Sequence, residues 1–206
     1  MFDVQPSANV EGNARITGTL GAVIFVLLIV EGVTIPRVSS LITLHVFVGM
    51  VLVAFVAAKI GSTTFRFARY YTGRREYVDK GPPPFILRAL GPIVTVLTVA
   101  VLASGIGLVL QPHGSRVLLF AHKASFVLWF GAMTVHVLGH VLETPALAFA
   151  DWRRSRRDHA AGAMARVGLV VVFLVIGVAI ASASLGWAHN WQHIHNAGPA
   201  LRKYGP

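Results

Sequence analysis

The chain contains no cysteine. That absence excludes disulfides, thiolate clusters and iron–sulfur ligation. Charge is scarce as well: 13% of the 206 residues are Asp, Glu, Lys or Arg, against 55% hydrophobic residues and a mean hydropathy of +0.67. A soluble domain coats itself with charge, and this chain has too little, so an integral membrane protein is the class that fits. The N-terminal residues MFDVQPSANVEGNAR are polar. They lack the basic n-region and early apolar core of a secretory signal, so the first apolar run is expected to be retained. No solenoid-type repeat is present.

Five apolar runs are there instead, at about Ile16–Ile35, Leu41–Ile60, Leu90–Leu110, Val117–Leu142 and Val167–Trp187. Each is about the length that a helix needs to cross a hydrocarbon core of ~30 Å. They predict an all-α integral membrane fold: one membrane domain over residues 1–206, a bundle of five transmembrane helices, and a short tail from Ala188 to Pro206. Pro36 closes the first run and Pro92 falls in the first turn of the third, where a missing N–H costs nothing.

The formal net charge is +10 and its distribution is uneven. Of the 18 Lys and Arg residues, 11 lie in the connections after spans two and four: Arg66, Arg69, Arg74, Arg75, Lys80 and Arg88, then Arg153, Arg154, Arg156, Arg157 and Arg166. The turns after spans one and three hold only Arg37 and Arg116. The positive-inside rule then places the N-terminus in the cytoplasm and the tail outside, with spans two and four both running inward. Phe65, Phe67, Tyr70 and Tyr71 are interleaved with the first basic group. In a soluble protein this could be a nucleic-acid patch. Directly after a span it reads as an interfacial helix end anchored in lipid headgroups, and no nucleic-acid partner is expected. Gly81 and Pro82–Pro84 then form a stiff link.

The fourth span, LLFAHKASFVLWFGAMTVHVLGH from Leu118, carries His122, Lys123, His136 and His140. Ionisable groups within a span are expensive and usually functional. His122 and His136 are 14 residues apart, nearly four turns, so they share a face and sit ~21 Å apart along the axis, one near each side of the membrane. Span two carries His45, Gly49 and Lys59, with His45 and Lys59 also 14 apart. His45 and His122 therefore share a depth near the outer face. Two neutral imidazoles facing each other across a bundle can take both axial positions of a haem iron. The expected fold thus holds a haem between spans two and four, with Gly49 letting the flat macrocycle approach. At the inner level His136 faces Lys59, and three outcomes stay open: an inner haem on His136 and another group, one on His136 and a neutral Lys59, or none. His140, one turn on, could substitute as ligand or bind a propionate. Lys59 is expected to snorkel to the cytoplasmic headgroups.

The stretch HKASFVLW…HVLGH, His122 to His140, with the opposing His45, resembles the di-haem membrane cytochromes b. These include the bacterial b561 type and the cytochrome b subunits of formate dehydrogenases and hydrogenases. The resembling part runs from about Leu41 to Leu142. The resemblance implies b-type haem, a bacterial cytoplasmic membrane, and electron transfer between a quinone pool and a redox partner protein, as a carrier or a subunit of a quinone-linked oxidoreductase. Span one offers no His and span two only one, a departure that bears on the second haem.

Two other classes compete. A non-catalytic anchor or transporter subunit would use its histidines as polar packing groups. A membrane metal-site enzyme would use the His136/His140 pair with Glu143 nearby, since neutral imidazoles suit zinc or iron. Glu31 reads as an interfacial carboxylate or as a proton or quinone contact. Ser104, Gly105 and Gly107 offer close helix packing or room for a flat ligand. The tail histidines His189, His193 and His195 could hold an external metal, and His113 and His159 fall in loops without an assigned role.

Overall fold

The computed structural model describes residues 8–79, 81, 85–111, 115–140 and 162–204, with backbone alone at 8, 9, 87 and 188–204. It is almost entirely helical, at 95%. In chain order come α1 (Ala8–Thr34), a single 3-10 turn (Ile35–Arg37), α2 (Val38–Tyr71), α3 (Arg75–Asp79), α4 (Phe85–Leu110), α5 (Arg116–His140) and α6 (Ala163–Tyr204). Four stretches are long and apolar enough to cross a membrane: Val10–Tyr71, Arg88–Leu110, Arg116–His140 and Ala163–Trp187.

The first of these, 62 residues long, is the central feature. Drawn out straight it would reach ~93 Å, three times a hydrocarbon core. It doubles back instead at the 3-10 turn, whose first positions hold Pro36. The N-terminal half of α1 meets the C-terminal half of α2: Asn13 Nδ2 donates to Ser62 O at 3.4 Å, and the Thr17 and Ser62 hydroxyls bond each other. The other ends meet at Glu31 and His45. The two helices are antiparallel arms of one hairpin.

α2 lies at the centre of the fold. Val48, Met50, Val51, Leu52 and Phe55 are buried with Ile16, Leu20 and Ile24 of α1, Val109 of α4 and Ala181 of α6. α6 approaches α2 through small residues. A Cβ on Gly177 would stand 3.1 Å from the Val51 carbonyl oxygen, and Ala181 and Ser184 one and two turns further are buried. Small residues of this kind let backbones come close where no hydrophobic effect drives helices together. α4 and α5 form a second antiparallel pair, held by Gly107 against Leu118 and by the Trp129 Nε1–H donating to Thr98 Oγ1 at 2.9 Å. This pair is less enclosed: within an apolar 18-residue segment, 17% of α4 and 6% of α5 are buried, against 33% in the hairpin. Phe120, Val127 and Leu138 point outward, the disposition suited to lipid.

Several boundaries differ from those read in the sequence. α2 does not end near Ile60 but continues to Tyr71, because GSTTFRFARYY contains no proline and one aromatic–basic face. Its regular part does begin near Leu41, whose φ of −111° and ψ of 20° mark the irregular start. α4 begins at Phe85 rather than Leu90, which puts Pro92 inside the helix instead of in its first turn. The position therefore gives up one intrahelical bond. α6 does not stop at Trp187 but extends through the expected tail to Tyr204, running past Gly198 and Pro199. Glu143, Pro145, the arginines from 153 to 157, His113 and His159 lie outside the described residues.

Candidate cofactor site

The tight reversal at 35–37 sets the last turn of α1 beside the first regular turn of α2. Glu31 and Thr34, three residues apart on one helical face, both reach His45. His45 Nδ1 lies 3.1 Å from Glu31 Oε1 and 2.8 Å from Thr34 Oγ1. The fully buried Thr34 hydroxyl donates to the Glu31 carbonyl at 2.6 Å. With its only hydrogen spent there, the Thr34 oxygen accepts from His45, which places the imidazole proton on Nδ1. Glu31 Oε2 is buried without a hydrogen-bond partner. Gly49, expected to make room for a macrocycle, faces this carboxyl: a Cβ there would stand 3.4 Å from Glu31 Oε1.

His122 is oriented from α4. Its Nδ1 lies 3.0 Å from the Val101 carbonyl and 3.2 Å from Ser104 Oγ. A carbonyl only accepts, so this proton is on Nδ1 as well. The Ser104 hydroxyl donates back to the Ala100 carbonyl at 2.6 Å. Gly105 permits the arrangement, since a Cβ there would be 3.2 Å from His122 Cε1.

The two rings meet edge-on, with centroids 6.3 Å apart and planes at 90°. Neither Nε2 has a hydrogen-bond partner among the described residues. With metal–imidazole bonds of ~2.0–2.1 Å, two ligating rings have centres roughly 6 Å apart, and the 6.3 Å spacing is compatible with that. The spacing and tautomers therefore fit a bis-imidazole iron. Fixing the distal N–H is what orients imidazole ligands and raises their basicity.

The inner level is built differently. Lys59, expected to snorkel to the headgroups, donates through Nζ to the Thr17 carbonyl of α1 at 2.9 Å. A carbonyl with a spare lone pair satisfies the ammonium locally. His136 is within electrostatic range of Lys59, but its Nδ1 is buried without a partner. The ring against it among the described residues is His140 of its own helix, at 4.9 Å and 61°. No imidazole from another helix opposes it there. Among the described residues no three or more His, Asp or Glu side chains converge as a metal site. Glu143, the expected third member of a His136/His140 site, and the side chains of His189, His193 and His195 lie outside them.

Sequence reasoning located His45, His122 and their shared depth. It flagged Glu31 and Ser104 for other roles and missed Thr34 and the Val101 carbonyl. A Thr three residues after an intramembrane Glu is a weak signal, and a carbonyl leaves none. In comparisons with protein families, curated proteins and solved structures, the chain matches none.

Proposed function

We propose that this protein is a haem-b electron carrier of the bacterial cytoplasmic membrane, moving electrons between a quinone pool and a redox partner protein. The observation that carries this reading is the His45–His122 pair: two imidazoles from different helices, 6.3 Å apart, with both Nδ1 atoms committed to protein acceptors. Polar packing alone would not require both rings to leave the same nitrogen without a partner. The resemblance of His122–His140 to di-haem cytochromes b points the same way.

When bound, haem b supplies one-electron storage at a potential set by its axial ligands and their surroundings. His45 and His122 are the residues that would hold the haem iron, each through its Nε2. Glu31 and Thr34 fix the first ring, and the Val101 carbonyl and Ser104 fix the second. The surroundings of the two imidazoles are asymmetric, because one leans on a carboxyl and the other on neutral acceptors. The carboxyl makes His45 the stronger electron donor of the two.

The same proposal has the chain cross the membrane five times, the hairpin supplying two crossings. The N-terminus is then cytoplasmic, the basic ends of α2 and α5 face the cytoplasm, and the haem sits near the outer face. Lys59 and His136 belong to the inner half. A pyridine haemochrome assay on protein purified after haem-supplemented expression tests the reading. About one haem per chain with a low-spin reduced spectrum is expected. A colourless protein that is folded and inserted would overturn it.

A further inference from the structure

We propose that the cytoplasmic end of α2 is a binding site for a phosphate group, held between the guanidinium groups of Arg69 and Arg74. The proposal is independent of the haem. It starts from the way α2 ends. Gly73 takes φ +74°, the Gly73 N–H bonds the Tyr70 carbonyl, and the Arg74 N–H reaches back to the Arg69 carbonyl at 3.1 Å. These two bonds make a Schellman closure, which brings together the side chains at the positions of residues 69 and 74. That pair commonly makes an apolar contact. Here both residues are arginine.

The two arginines line a pocket of about 530 Å³ with Phe65, Ala68, Thr72 and Gly73, and no carboxylate is among these residues. Arg69 is held in place, its guanidinium 5.0 Å from the centre of the Phe65 ring. Phe65 in turn meets the buried Tyr77 edge-on at 6.3 Å, so α3 braces the site from behind. Arg88 is engaged elsewhere, donating to the Tyr71 hydroxyl at 2.6 Å. Thr72 spends its hydroxyl hydrogen on the Ala68 carbonyl. The negative end of the helix dipole accounts for cations near this terminus. It does not account for two that a tight turn draws together across a pocket. An anion between them relieves their repulsion, and a phosphate oxygen pair matches the guanidinium fork.

Two sources can present that group here: the headgroup of an anionic phospholipid, since α2 leaves the apolar region just before Phe65, or a soluble phosphate. Basic pockets at this level of a membrane protein are suited to the first. The test uses the full-length protein in a neutral detergent, titrated with short-chain phosphatidylglycerol, inorganic phosphate, and short-chain diacylglycerol, which lacks phosphate. Saturable binding of phosphatidylglycerol but not of diacylglycerol is expected. The Arg69→Gln/Arg74→Gln variant should bind ~10-fold more weakly or worse, as the loss of charge-assisted contacts implies. The Arg66→Gln/Arg75→Gln variant loses the same charge outside the pocket lining and should bind like the unmodified protein. If phosphatidylglycerol binds and inorganic phosphate does not, the source is lipid; if inorganic phosphate binds as tightly, the source is soluble. Binding of diacylglycerol equal to that of phosphatidylglycerol, equal weakening in both variants, or no saturable binding of either phosphate compound would overturn the site.

Discussion

The His45/His122 and Lys59/His136 levels of α2 and α5 share a spacing and differ in their partners. Each helix carries an ionisable residue at the outer level and another 14 residues on: His45 then Lys59, His122 then His136. At the outer level both rings are anchored through Nδ1, one by Glu31 and Thr34, the other by Val101 and Ser104. At the inner level Lys59 is spent on the Thr17 carbonyl and the His136 Nδ1 has no hydrogen-bond partner among the described residues. Matching depth therefore does not give the two levels the same hydrogen-bond partners. What separates the two levels is the neighbouring helix: α1 and α4 offer acceptors to the outer imidazoles, and α1 takes the inner cation for itself.

The largest effect expected from breaking this contrast is the loss of the haem. His45→Ala and His122→Ala should each lower haem content from about one per chain to near zero while the protein still inserts. His136→Ala should leave both content and low-spin signal unchanged. Pyridine haemochrome quantification with electron paramagnetic resonance measures all three. A starting value near two haems, halved by His136→Ala, would make the inner level a second haem site and erase the distinction.

Next comes Glu31. Glu31→Ala removes one of the two acceptors of the His45 Nδ1–H and leaves Thr34 Oγ1 in place, a loss of about 0.5–1.5 kcal/mol that should appear as weaker haem retention. Glu31→Gln keeps a hydrogen-bond acceptor but removes the acid. The haem should then stay, with its midpoint potential shifted upward because the ligand becomes less basic. Potentiometric titration of the two variants separates positioning from simple packing. An unshifted potential in Glu31→Gln would mean that the carboxyl does not act through the ring.

Gly105 gives a smaller effect. A methyl group placed 3.2 Å from His122 Cε1 must push the ring by a few tenths of an ångström. Gly105→Ala should weaken haem retention by about 1 kcal/mol, the low end of overpacking costs, and perturb the low-spin spectrum. The same substitution at Gly49 should act on Glu31 rather than on the haem, since its Cβ would meet the carboxyl at 3.4 Å.

The readable parts of this fold were those that follow from hydropathy and helical period. The apolar stretches, the reversal at Pro36 and the common depth of His45 and His122 all have that origin. What stayed hidden depends on which helix lies beside which. Gly49 could be seen as a gap one turn below His45, but only the α1 arm determines that Glu31 fills it. Lys59 could be seen as a cation needing relief, and both the interface and a neighbouring carbonyl are physically adequate answers. Ser104 and Gly105 were visible as small residues in an uncharged helix; that they hold His122 required the α4–α5 register. The turns of α2 past Ile60, read as an interfacial helix end, and those of α6 past Trp187 lie beyond the apolar runs because polar residues end an apolar run without ending a helix.

Lys59 offers the smallest expected effect and the sharpest test of the inner level. An ammonium in the hydrocarbon carries an insertion cost of about 2.5–3.5 kcal/mol. Its bond to the Thr17 carbonyl, 2.9 Å long, returns about 1.5–3 kcal/mol as a hydrogen bond from a charged donor. The two contributions nearly cancel, and methionine has a similar length and flexibility without either. The Thr17 carbonyl keeps its place in the α1 ladder, so it is not stranded when Nζ is removed. Lys59→Met should therefore change stability by no more than about 1 kcal/mol, with no change in haem content or midpoint potential. Thermal unfolding followed in detergent, alongside the reduced spectrum, measures both. Loss of a haem signal on this substitution would place Lys59 among the ligands and require an arrangement in which its nitrogen leaves Thr17 to face His136.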